Sequence, residues 1–284
     1  MLRKLKEIEF DKYIDFAYSL ALDQSKSSYP TYTDGIKTKE DFIQSAKDSF
    51  SREDEEILLF EEDGEVHGWI HYYVLKEDNY LQIQVFNVER GVECAIDEFV
   101  SYVTAKYAGC TMYFGLPKVN QEAVSHLQKR GFTKEEESIV GVMHFDTYQL
   151  KAEAAGIVLV TRENYAEFAG IHNQRDEGMY WNTERILENL DKWHCYLHYK
   201  NSALVGTIYY TCYDTMLEIF GVDYVEKNFD EETFRALLTK VLNDGKKMNS
   251  GHLTFFHEEE EHAVVDELGF EDIGTYVLYI RLLV

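Results

Sequence analysis

The chain has 284 residues, 45% hydrophobic and 14% aromatic, enough for two ordinary domains with real cores and too apolar for wholesale disorder. Twenty-eight Lys and Arg against 52 Asp and Glu leave a formal charge of −24, which disfavours phosphate backbones and excludes nucleic acid from the expected partners. The acidic field suits a cationic amine substrate, although solubility alone also explains it.

The N-terminus MLRKLKEIEF is basic but has no apolar h-region, and no run approaches the roughly 18 apolar residues of a membrane span. No signal peptide and no membrane association are expected. Cys94, Cys110, Cys195 and Cys212 form no CxxC pair and read as reduced thiols of a cytoplasmic protein. A first helix is predicted over Asp11–Leu22. ILLFEEDGEVHGWIHYY (Ile57–Tyr73) then reads as a β-hairpin turning at Glu62-Asp63-Gly64. Its second strand puts Trp69, His71 and Tyr73 on one face and Ile70 and Tyr72 on the other. One face should pack on the early helices, and the other on the later helices or on a substrate cleft. His71 is a candidate general base, beside the plainer reading of a satisfied, partly buried histidine.

LQIQVFNV (Leu81–Val88) alternates as a strand and runs into RGVECA (Arg90–Ala95). Ile96, Phe99, Val100 and Val103 then recur as the stripe of an amphipathic helix. NQEAVSHLQKRGF (Asn120–Phe132) predicts another helix, with Asn120 as N-cap, Gly131 as left-handed C-cap and Phe132 packing back.

The second half repeats the first at an offset of 138, placing Leu59 on Leu197, Gly68 on Gly206, Ile70 on Ile208 and Tyr72 on Tyr210. The same offset carries the helical stripe onto Phe234, Leu237, Leu238 and Val241, and Gly131-Phe132 onto Gly269-Phe270. An early helix (Arg162–Asn173), a hairpin turning at Lys200-Asn201-Ser202 and a strand (Leu217–Val222) recur in order. YQLKAEAAG (Tyr148–Gly156) reads as the junction, so two α/β domains are expected, Met1–Tyr148 and Gln149–Val284. Glu218, in the second strand of that kind, is another candidate base.

No metal site is expected. In HEEEEH the two histidines are five apart, roughly 140° around a helix, and cannot share an ion from one face. His194 and His198 lie on a predicted strand, some 13 Å apart.

The order of elements, the hairpin with Gly68, and Asn120, Ala123, Gly131 and Phe132 at their spacing resemble the GNAT superfamily of N-acetyltransferases, twice over in one chain. The resemblance implies two tandem GNAT-like domains, each a mixed, mostly antiparallel sheet with helices on both faces. It also implies acetyl transfer from acetyl-CoA to the amine of a small molecule or peptide, without a metal. The pyrophosphate would lie on amide N–H groups where strand gives way to helix, and the thioester along a splay between two parallel strands. Onto this chain that carries Phe86, Val88, Arg90, Gly91, Val92, Cys94, Ala95, Asn120 and Ala123 as cofactor-binding residues. The family loop has Arg or Gln first, Gly fourth and Gly or Ala sixth. Arg90 and Ala95 fit, and Glu93 replaces the central glycine.

The aligned NFDEET (Asn228–Thr233) has no glycine and three acids, so the first domain is the better candidate for the cofactor. The family's thiolate-protonating Tyr is Leu127 here and Val265 in the second copy, with His126 adjacent to the first. A catalytically inactive tandem protein binding a ligand or partner in the inter-domain cleft is the alternative expectation. Aminoacyl-tRNA-dependent transfer is disfavoured by the charge.

Overall fold

The hairpin read from Ile57–Tyr73 forms as β2 (Glu55–Glu62) and β3 (Glu65–Leu75). Asp63 and Gly64 turn it with φ of 53° and 83°, the left-handed pair that matches strand twist in a tight hairpin. Its counterpart, β8 (Trp193–Lys200) and β9 (Ala203–Tyr213), turns on Asn201 and Ser202, also both at positive φ. The computed structural model describes residues 1–28, 38–173, 179–213 and 215–284. Contacts divide it into unit 1, Met1–Ser138 with Gly274–Val284, and unit 2, Ile139–Ile273.

In unit 1, β1 (Leu2–Lys4), β2, β3, β4 (Tyr80–Val88), β5 (Thr111–Pro117) and β12 (Glu271–Leu282) are neighbours in that order. All pairings are antiparallel except β4 with β5. Alternation on β3 sorts the two faces as expected. Ile70 and Tyr72 join the core under α3 (Val92–Tyr107) and α4 (Gln121–Lys129). Trp69 joins Phe10, Ile14 and Phe42 of α1 (Phe10–Ala21) and α2 (Lys39–Asp48) on the other side. Thr38 opens α2 with a capping box to Asp41, which satisfies amides of the first turn.

In unit 2 the order is β6 (Thr133–His144), β11 (His252–His257), β10 (Met216–Tyr224), β9, β8 and β7 (Ile157–Leu159). Here β10 and β11 are the parallel pair. One face packs on α7 (Glu231–Lys247) and α8 (His262–Leu268), through Phe234, Leu237, Leu238 and Val241 as the periodicity predicts. The other packs on α5 (Tyr165–His172) and α6 (Thr183–Glu188).

The helix endings repeat as the sequence does. Gly131 and Gly269 have φ of 76° and 100°, and the amides of Phe132 and Phe270 reach back to the carbonyls of Leu127 and Val265. The division of the chain differs from the expected single junction after Tyr148. Ile139–His144, the end of the first copy, pair with β11 of unit 2. Tyr276–Leu282, the end of the second copy, pair with β5 of unit 1. Each copy's last strand ends in the other unit, so unit 1 is built from two segments, while unit 2 is one segment that begins inside β6.

Candidate functional site

β4 and β5 pair in parallel only at Tyr80–Gln82 with Thr111–Tyr113. Beyond Gln82 both strands continue without pairing to each other, which opens the expected splay. A bulge helps to part them, because His71 faces Val85 while Tyr72 faces Ile83, leaving Gln84 as the extra residue. After the bulge Phe86 and Val88 bury their side chains in the core while their amides face away from β3. β10 and β11 part in the same way beyond Ile219 and Phe255. There the bulge is at Phe220.

At the head of β4 the RGVECA turn becomes a helix N-terminus. Gly91 takes φ of 69° before α3, and the first helical bond runs from Ala95 N–H to its carbonyl at 2.9 Å. The amides of Val92, Glu93 and Cys94 precede that bond and are the orphan donors of the first turn. A Cβ on Gly91 would sit 3.2 Å from the Phe60 ring in a left-handed conformation. Gly91→Ala is therefore expected to cost about 1–2 kcal/mol, seen as a melting temperature a few degrees lower.

Glu93 turns away from the splay. Its carboxylate lies 3.2 Å from Lys129 Nζ and 3.5 Å from His126 Nδ1 on α4, and Lys129 beside it holds its pKa below the usual carboxylate range. Its negative charge is engaged between α3 and α4. Arg90 also has partners, His67 Nε2 at 2.6 Å and Glu62 at 3.7 Å. Cys94 is exposed, whereas Ala95 and Ala123 are fully buried.

The donor track itself carries a segment of this chain. The Phe86 amide donates to Ser28 Oγ at 2.8 Å, and the Val88 amide donates to the Lys26 carbonyl at 3.0 Å. Asn120, the N-cap that accepts from the Ala123 amide, donates its own Nδ2 to the Ser27 carbonyl at 3.0 Å. Ser27 and Ser28 are 1% and 3% exposed. Lys26, Ser27 and Ser28 thus lie beside β4, with Lys26 and Ser28 on the amides that the family resemblance assigns to the cofactor. A short polar stretch after a helix carries no periodic signal, and sequence reasoning missed it.

The two proposed bases fare differently. His71 is 1% exposed, with Nε2 3.0 Å from Glu55 Oε2. Glu55 is also held by Arg52 at 2.5 Å. This corrects the expectation of His71 as a general base, because burial and the contact with Glu55 close it to substrate. Glu218 sits on β10 opposite Thr211 and Thr254, within unit 2. His126 is engaged by Asp97 at 2.9 Å, and Leu127 and Val265 are fully buried core residues. In unit 2 the N-terminus of α7 is closed from within, since Asp230 accepts from Thr233 N and Oγ1 and pairs with Lys200.

No family model matches the sequence, and no curated protein matches it. Solved structures do match in fold. A GCN5-related N-acetyltransferase from Sphaerobacter thermophilus aligns with a TM-score of 0.67 at 13% identity, covering 100% of this chain and 95% of that one. A tandem GNAT protein from the clavulanic acid biosynthesis pathway aligns with a TM-score of 0.52 at 13% identity, covering 100% and 98%. A GCN5-related N-acetyltransferase from Kribbella flavida aligns with a TM-score of 0.52 at 15% identity, covering 76% and 88%. The chain has the GNAT fold in tandem, as the internal repeat suggests.

Proposed function

We propose that this chain is an acetyl-CoA-dependent N-acetyltransferase whose donor site lies in unit 1 and whose acceptor is an amine of a small molecule or peptide. One observation carries the reading. The β4/β5 splay leads to an α3 N-terminus whose amides are open, because Glu93 is drawn onto Lys129 and His126. Two phosphates gain there from N–H donors and from the positive end of the helix dipole.

The reaction joins a neutral amine nitrogen to the thioester carbonyl carbon and breaks the C–S bond. Negative charge builds on the carbonyl oxygen and then passes to sulfur. An amide of β4 past the bulge, such as that of Phe86, is placed to polarise the carbonyl once Ser28 has left it. Leu127 offers no proton, so water takes the proton that the amine nitrogen loses and returns one to the leaving thiolate. Catalysis then rests on positioning and carbonyl polarisation.

Calorimetric titration of the full chain with acetyl-CoA and with CoA tests this reading. One site is expected, weakened about tenfold or more by Arg90→Ala and changed less than about threefold by Glu93→Ala. Absence of binding at millimolar cofactor would exclude the transferase. The alternative, a non-catalytic tandem protein that binds a ligand or partner, is favoured by Lys26–Ser28 holding the β4 amides and by Asp230 capping α7. It expects no cofactor binding in either unit.

A further inference from the structure

The run HEEEEH does not lie on one helix. His257 is the last residue of β11 and His262 the first of α8. Between them the chain folds back, and the Glu258 amide donates to Glu261 Oε2 at 3.0 Å. Helical rotation therefore does not separate the two imidazoles. Their rings are parallel within 9°, with centroids 5.6 Å apart. Asp272, near the start of β12 and within unit 2, brings a carboxylate oxygen to 3.8 Å from His262 Nδ1. One ligand atom from each of His257, His262 and Asp272 lies within 4.8 Å of the others.

Two buried nitrogens in this cluster have no hydrogen-bond partner, His257 Nε2 and His262 Nδ1. His257 is 1% exposed, and its Nδ1 stands 3.1 Å from the Glu258 carbonyl oxygen. A carbonyl can only accept, so Nδ1 carries the proton and Nε2 presents its lone pair to the cluster. Backbone carbonyls orient metal-bound histidines in this way. Gly141 faces the same nitrogen, and its missing side chain keeps space there, since a Cβ would lie 3.5 Å from His257 Nε2. Burying two unpartnered nitrogens side by side costs free energy that a shared cation recovers.

We infer that His257 Nε2, His262 Nδ1 and the Asp272 carboxylate bind a zinc ion. Two imidazoles with one carboxylate suit zinc and do not suit magnesium or calcium, which take oxygen ligands. Zinc–ligand bonds of about 2.0–2.1 Å require the donors to close by about 1 Å. The half-exposed Asp272 and His262 have the rotamer freedom to do so. On their solvent side the fourth position falls to water or to a carboxylate of Glu258–Glu261. The ion ties together the end of β11, the start of α8 and the start of β12.

The test uses the full chain, stripped with a chelator, and zinc chloride alone as the probe. Calorimetry is expected to show one site, and a hundredfold excess over Kd should raise the melting temperature by about 5–10 °C. His262→Ala and Asp272→Ala, at partly exposed positions that tolerate change, should each weaken binding by about a hundredfold. His144→Ala, elsewhere on unit 2, should bind as the unmodified chain does. Absence of binding, or affinity unchanged in both His262→Ala and Asp272→Ala, overturns the assignment. Neither result depends on whether the chain binds acetyl-CoA.

Discussion

Acetyl-CoA is expected to bind the triple variant Lys26→Gly/Ser27→Gly/Ser28→Gly up to about a hundredfold more tightly than it binds the unmodified chain. The cofactor and this segment compete for the same donors, the amides of Phe86 and Val88 and the side chain of Asn120. Each bond is worth about 1 kcal/mol net, so displacing the segment taxes the cofactor by about 3 kcal/mol. Glycine removes the Ser28 hydroxyl and adds about 1 kcal/mol per residue of ordering cost to the segment. The helices α1 and α4 keep their own cores, and circular dichroism should stay unchanged. Equal affinity in both proteins would show that the segment does not lie on the donor track. No binding in either would favour the non-catalytic reading.

Glu56→Gln is expected to destabilise the chain by about 3 kcal/mol at neutral pH and by much less near pH 2. Glu56, on β2, accepts from Lys106 at 2.8 Å, Tyr102 at 2.9 Å, Lys4 at 3.1 Å and the Tyr72 hydroxyl. Burial pushes its pKa up, but Lys106, Tyr72, Lys4 and Tyr102 together outweigh that and hold the carboxyl at about 2, against 4.5 when free. The folded-state pKa is depressed, so the stabilisation is fully present above about pH 4.5 and is lost as pH falls towards 2. Only 11% of the side chain is exposed, so solvent screening removes little of it. Denaturant titrations across this range should give a flatter pH dependence for the variant. A difference between the two proteins that is the same at pH 7 and pH 3 would refute the account.

Features decided within a few residues were legible in the sequence. Asp63-Gly64 and the paired endings Gly131-Phe132 and Gly269-Phe270 do structurally what their residue types demand. The stripe Ile96, Phe99 and Val103 is buried as its spacing requires. Features decided by distant neighbours were not legible. Alternation shows which face of β6 or β12 is apolar but not which strand lies beside it, and the exchange of the two was missed. The direction of Glu93 depends on Lys129, a full helix away in the chain. His257 and His262 were placed on one helix because acidic runs between histidines look helical, whereas the chain changes there from strand to helix.

The exchange of β6 and β12 also sets a timetable for the nascent chain. The strand that flanks β5, Tyr276–Leu282, emerges only after the whole of Ile139–Ile273 has been made. At about 5–20 residues per second, the edge of β5 waits unpaired for roughly 7–27 seconds after Ser138 has been added. Meanwhile Ile139–His144 are available early and wait for β11. A ribosome that stops before Gly274 releases a chain with an open, hydrophobic strand edge, the kind of surface on which chains aggregate. Closing the edge of β5 therefore depends on β12.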